Sequence, residues 1–137
     1  MEADVSSTPG PTRRVLVVDD EFEMAMVIAE ALCERGFDAV ALRSGREAMA
    51  RLRNESFDAL VTDLRMPEVD GLQLLRLSRE LEPTRPVVVM TGHPAIDTAL
   101  ESSRNGAYHT ITKPFRPSAL VHLIETALGV QGAPSSS

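Results

Sequence analysis

Cysteine is almost missing from this chain. Cys33 is the only one in 137 residues, which excludes an internal disulfide and fits a reducing compartment. Cys33 falls beside Leu32 on a predicted helix, where inert packing in or near the core is expected. Positive charge is in deficit: the formal net charge is -6, and a nucleic-acid-binding surface is not expected of such a chain. Lysine occurs once, as Lys113, and arginine supplies every other basic side chain. No apolar stretch approaches the roughly 20 residues that cross a bilayer. The start, Met1-Glu2-Ala3-Asp4, lacks the basic-then-apolar pattern of a signal peptide. No repeat of the solenoid kind is visible. What is present is a 43% hydrophobic and 25% charged composition, that of one soluble globular domain, expected in the cytoplasm.

Residues 1–12 carry Ser6, Ser7, Thr8, Pro9, Gly10 and Pro11 and read as a flexible lead-in. Residues 129–137, with Gly132, Pro134 and three serines, read as a tail or the start of a linker. The domain expected between them, 13–128, alternates strand-like and helix-like segments. Arg14 to Val18 is a strand without polar alternation, so both faces are expected to be covered. Phe22, Ala25, Ala29 and Leu32 then recur at helical spacing, and Gly36 is placed to stop that helix. Phe37 to Leu42 is a second strand, and Ser44 with Glu47 has capping-box spacing for the next helix. Phe57 to Thr62 is a third strand, after which Asp70 caps a helix bearing Leu72, Leu75 and Leu81. Pro86 to Met90 is a fourth strand, rich in β-branched valine. Pro94 opens a helix that Asn105-Gly106 would end. Ala107 to Thr112 is a short polar strand suited to a sheet edge, and Pro117 opens the last helix, with Leu120, Leu123, Ile124, Ala127 and Leu128 inward. Five β-then-α units predict an α/β fold: a parallel sheet with helices on both faces and ligands bound beyond the C-terminal strand tips.

The chemistry-bearing residues sit at those tips. Asp19 and Asp20 close the first strand, Asp63 the third and Thr91 the fourth, and Lys113 follows the fifth. A lone acid at a strand end is usually a helix cap or a solvated charge, and a lone Lys-Pro is usually a turn. The ordered set of all five is not explained that way. Brought side by side, hard carboxylate oxygens suit Mg²⁺, with Asp20 and Asp63 as direct ligands and Asp19 direct or through water. The cation relieves the mutual repulsion of the acids. One Asp63 oxygen then stays free to attack phosphorus, with Lys113 and a Thr91 hydroxyl hydrogen bond neutralising the transferred group.

Taken together, Val17-Val18-Asp19-Asp20-Glu21, Val61-Thr62-Asp63-Leu64-Arg65-Met66-Pro67-Glu68-Val69-Asp70-Gly71, Met90-Thr91-Gly92, Gly106-Ala107 and Lys113-Pro114-Phe115 resemble the receiver domain of bacterial two-component response regulators, over about Arg13 to Leu128. The resemblance implies a flavodoxin-like, doubly wound sheet of five parallel strands in the order 2-1-3-4-5 with five helices. It implies that Asp63 is the phosphoacceptor for a sensor histidine kinase or phosphotransfer protein, and that Asp19 and Asp20 are the acidic metal pair. The backbone carbonyl of Arg65 would be a further Mg²⁺ ligand, and Thr91 and Lys113 would contact the phosphoryl group. The Lys113-Pro114 bond would be cis. Arg65 and His93 fall where side chains influence acyl-phosphate lifetime, although His93 as a helix cap is the plainer reading.

One position departs from the family. Three residues before the lysine, where an aromatic switch residue is usual, stands Thr110. The switch is therefore expected to be muted or partly moved to Tyr108, on the same strand face; plain packing of Tyr108 is the alternative. His109 and His122 have no partner constellation and are not expected to relay phosphate. Two other readings stand beside the signalling switch, which is not itself an enzyme in the turnover sense. One is a Mg²⁺-dependent phosphatase working through an aspartyl phosphate, which the adjacent acids Asp19-Asp20 and the distant Asp63 fit poorly. The other is an unphosphorylated scaffold of the same fold. The signal would leave through a protein-binding surface, to a docked target or a separate output domain. Met90-Thr91-Gly92-His93-Pro94 and Gly106-Ala107-Tyr108 look similar to receivers that precede σ54-dependent ATPase modules, and Met1 points away from a place behind a kinase core.

Overall fold

A computed structural model of the chain describes residues 12–92 and 108–129, Tyr108 by its backbone only. Strand β1 (Arg14–Val18) leads into helix α1 (Phe22–Glu34), β2 (Asp38–Leu42) into α2 (Gly45–Asn54), and β3 (Ala59–Asp63) into α3 (Gly71–Leu81). Strands β4 (Val87–Thr91) and β5 (Tyr108–Thr112) follow, and α4 (Pro117–Leu128) completes the described part. The helix predicted from Pro94 to Asn105 lies outside the described residues, as does His93.

All five strands are parallel, in the order β2-β1-β3-β4-β5. The parallel sheet is that expected from the alternating pattern, and its order is the flavodoxin-like one that the family resemblance implied, with β3 in the middle and the polar β5 at an edge. Side-chain alternation on the buried strands builds two cores. Leu16, Val18, Leu60, Val87 and Val89 face α2 and α3, packing with Leu52, Leu74 and Leu75. Val15, Val17, Val61, Val88 and Met90 face the other way, onto Ile28 and Leu32 of α1 and Leu120 and Ile124 of α4. A strand buried on both faces has no polar alternation to show, which is why these segments read as unbroken apolar runs.

Helix ends follow local chemistry. Glu21 is the N-cap of α1, and Gly36, at φ 93, takes the left-handed conformation just past that helix. The Ser44 side chain accepts from the Glu47 amide at 3.2 Å, which is half of the expected capping box. Asp70 makes the full reciprocal box with Gln73, at 3.0 Å in each direction.

Two packing expectations need correction. Cys33 is exposed, because it lies one position round α1 from the buried stripe of Ala25, Ile28, Ala29 and Leu32. On α4 the buried face is Leu120, Val121, Ile124 and Glu125, so Leu123, Ala127 and Leu128 lie at its margin. Glu125 is covered because Arg35, at the end of α1, reaches across at 3.0 Å. This contact has the distance of an ion pair without the alignment of a hydrogen bond.

Candidate functional site

Register decides where the tips fall. Val18 is opposite both Leu42 and Thr62, Asp63 is opposite Met90, and Thr91 is opposite Thr112. Asp19 thus comes level with Asp63 one residue past its strand, and Lys113 emerges beside Thr91, its amide donating to the Thr91 carbonyl at 2.8 Å. The Lys113-Pro114 peptide is cis, as the family resemblance implied.

The three carboxylates converge: each of Asp19, Asp20 and Asp63 offers an oxygen, and these atoms lie within 4.8 Å of one another. Asp19 is fully buried, Asp63 half-buried and Asp20 exposed, so the cluster runs from the sheet edge out to solvent. Lys113 Nζ stands 3.2 Å from Asp19 Oδ2 and 3.2 Å from Asp63 Oδ1. The other Asp19 oxygen accepts from the Glu21 amide at 2.9 Å, a contact not anticipated from sequence. The Asp-x-Glu spacing at a strand-to-helix turn is the signal that carries it.

Electrostatics follow from this packing. Burial, reinforced by the Asp19 charge, pushes the Asp63 carboxyl up from 3.8 to about 6, and Lys113 draws it only partly back. Burial also raises Asp19, against the opposing pull of the Glu21 amide and Lys113. Burial alone would lower the Lys113 ammonium, but Asp63 and Asp19 outweigh it and its affinity for the proton is raised. With all three acids ionised, one ammonium leaves two negative charges unbalanced, which is the charge of a divalent cation. Clustered oxygen donors of this kind fit Mg²⁺.

Thr91 is buried at the tip of β4, while Arg65 is exposed in the loop after Asp63. Thr110 is half-buried in the middle of β5, opposite Val89 of β4, with Tyr108 opposite Val87. His109 and His122 are exposed on β5 and α4. Sequence reasoning used the loop between β3 and α3 for the family resemblance and for Arg65, but not its backbone conformation. There Glu68 adopts φ 67, and glycines at its borders allow backbone to press on backbone.

Residues 15–125 match the response regulator receiver domain family. The chain belongs to that family. This receiver domain is 36% identical over 114 residues to the DNA-binding transcriptional regulator NtrC of Salmonella typhimurium, an alignment covering 83% of this chain and 24% of that protein. Among solved structures, the receiver domain of the Francisella response regulator 1452 is 27% identical with a TM-score of 0.74, covering 86% of this chain and 98% of that one. NtrX from Brucella abortus is 31% identical with a TM-score of 0.76, covering 87% of this chain and 27% of that one. The receiver domain thus spans about a quarter of the length of the curated relatives it matches. No described helix is long and apolar enough to cross a membrane.

Proposed function

We propose that this receiver domain is a phosphorylation switch in which Asp63 accepts a phosphoryl group from the phosphohistidine of a sensor histidine kinase or phosphotransfer protein. The observation that supports it most is the shared position of Lys113, 3.2 Å from a carboxylate oxygen of both Asp19 and Asp63 inside the three-acid cluster. In the transfer, an Asp63 oxygen forms the new O–P bond. The N–P bond of the donor breaks, and its electron pair returns to the imidazole nitrogen. Charge on the moving group is spread over its equatorial oxygens, so preorganised positive charge is the main contribution the protein makes. Lys113 supplies it as a compact ammonium already aimed at the reacting carboxylate. The Thr91 hydroxyl donates to a phosphoryl oxygen at the tip of β4.

Asp19, Asp20, Asp63 and the Arg65 carbonyl would hold Mg²⁺. When bound, that ion neutralises the acids and the incoming phosphoryl oxygens. Asp19, tied to the Glu21 amide, keeps the floor of the cluster fixed while Lys113 is shared with the acceptor. The readout is a changed protein-interaction surface about β5 and α4, toward a docked target or an output domain, in the cytoplasm where a kinase would supply the donor.

Incubation with acetyl phosphate and Mg²⁺, followed by intact mass measurement, tests the acceptor. The parent is expected to gain one phosphoryl mass that is lost again by hydrolysis, and Asp63→Asn to gain none. An adduct at parent level in Asp63→Asn would overturn the assignment. Sustained turnover of phosphomonoesters would favour a phosphatase instead.

A further inference from the structure

The loop 64–70 links the Asp63 tip to α3 and carries Arg65. Its start is pinned to the sheet and its end to its start: the Leu64 amide donates to the Met90 carbonyl and the Gly71 amide to the Leu64 carbonyl, each at 2.9 Å. At Gly71 there is no room for a side chain, since a Cβ would lie 2.5 Å from the Asp63 carbonyl oxygen. The middle of the loop is held from the side. A Cβ on Gly45, the first residue of α2, would lie 2.0 Å from the Val69 carbonyl oxygen and 2.9 Å from its carbon. Gly45 does not have the positive φ that calls for glycine, so the reason for glycine here is this approach of backbone to backbone. Next to it, Arg46 pairs with Glu68 at 3.1 Å, and Glu68 is held at φ 67, a conformation that strains any residue with a side chain. Such strain persists only where the surroundings impose it. The Val69 amide bond to the Pro67 carbonyl, 2.7 Å, tightens the same turn.

We propose that Gly45 is a positioning residue for the Asp63 site: by admitting the Val69 carbonyl against the start of α2, it sets the loop that presents Arg65. The Arg46–Glu68 pair ties the crest of that loop to the same helix. The inference rests on the reading of Asp63 and the Arg65 carbonyl given above. A side chain at position 45 must push Val69 away. One end of the loop is anchored to β4 through Leu64, the other closes onto Leu64 through the Gly71 amide, and the Asp70–Gln73 box holds the start of α3. The displacement therefore falls on residues 65–69.

The comparison that tests this uses the full chain with Gly45→Ala, Arg46→Ala and a control, Gly36→Ala. Gly36 lies past the end of α1 at φ 93 with nothing within 4 Å of a Cβ, so alanine there strains the backbone without touching the loop. Amide hydrogen exchange of the metal-free protein is the first readout. Mg²⁺ affinity, followed by amide chemical shifts, is the second. Both glycine variants are expected to lower the thermal midpoint. Of these two, only Gly45→Ala should speed exchange of the loop amides, by about tenfold, and weaken Mg²⁺ binding to a similar degree. Arg46→Ala, an exposed pair, should speed loop exchange by about 2- to 5-fold with little change in midpoint, which keeps the claim testable if Gly45→Ala does not fold. Parent-like loop exchange in both α2 variants, or an equal rise in Gly36→Ala, would overturn the proposal. A parent that binds no Mg²⁺ would defeat the reading of the site instead, and the exchange arm would still decide what Gly45 does.

Discussion

Asp63 is held in surroundings that disfavour its ionisation. Burial and the Asp19 charge place its carboxyl at about 6, above the ordinary 3.8, so the folded domain binds a proton more tightly than the unfolded chain does. Stability from this group is therefore fully present below about pH 4 and lost as pH rises through about 6. The gap between those values corresponds to about 3 kcal/mol. Asp63→Asn removes this cost but also the pairing with Lys113. The metal-free variant is expected to exceed the parent by about 1–3 kcal/mol at pH 7.5 and to match or fall below it near pH 4. Urea unfolding in EDTA at the two pH values checks this; a constant difference across the range would contradict the burial account. The acidity of Asp63 could not be read from its neighbours in sequence. Asp19 is 44 positions away, Lys113 another 50 on the other side, and only folding puts both beside it.

Elements meet through a few specific contacts that local pattern does not show. The apolar spacing of α1 was legible, and the residues it named apart from Phe22 are buried; Ile28 joins them. The face of α4 was legible only approximately, because a buried glutamate breaks the hydrophobic stripe. Glu125 is covered by Arg35 of α1, and removing one partner of such a pair leaves an uncompensated charge, whereas replacing the charge removes the problem. Arg35→Ala is accordingly expected to destabilise by about 1–3 kcal/mol, a figure reduced for the exposure of Arg35, while Glu125→Leu should stay within about 1 kcal/mol of the parent. Denaturation midpoints of the two variants and their combination check this, and equal losses in both singles would show that packing, not charge, dominates. On β5 the absence of an aromatic residue at Thr110 was plain from the sequence, and the strand places Thr110 against Val89. Small β-branched neighbours facing each other give no ring to swing between two positions.

The whole molecule is a sheet whose central strands end in like charge, and that makes its stability depend on what binds there. Two unbalanced negative charges at the tips oppose the folded state in the absence of a cation. Mg²⁺ at about tenfold over its dissociation constant is expected to stabilise the parent by about 1.4 kcal/mol. The gain should shrink at pH 5, where a proton competes for Asp63, and should be largely lost in Asp63→Asn. Thermal unfolding with Mg²⁺ or EDTA checks this, and an undiminished gain in Asp63→Asn would place the cation elsewhere.

The chain's alternation of apolar runs and amphipathic helices, with acids and a lone lysine after particular runs, determined the parallel α/β fold and nominated the site residues. That information is local: periodicity sets what each segment buries, and a strand tip is marked where an apolar run ends. Tertiary structure alone decided the distances between tips, because register across β1, β3, β4 and β5 is a property of pairs of strands. It also decided that the Asp63 carboxyl is raised above the ordinary carboxylate range, that Cys33 faces solvent, and that Gly45 lies against the loop beside the acceptor. Each of those depends on which surface arrives from another part of the chain. Burial and close approach are set by neighbours that no sequence window contains.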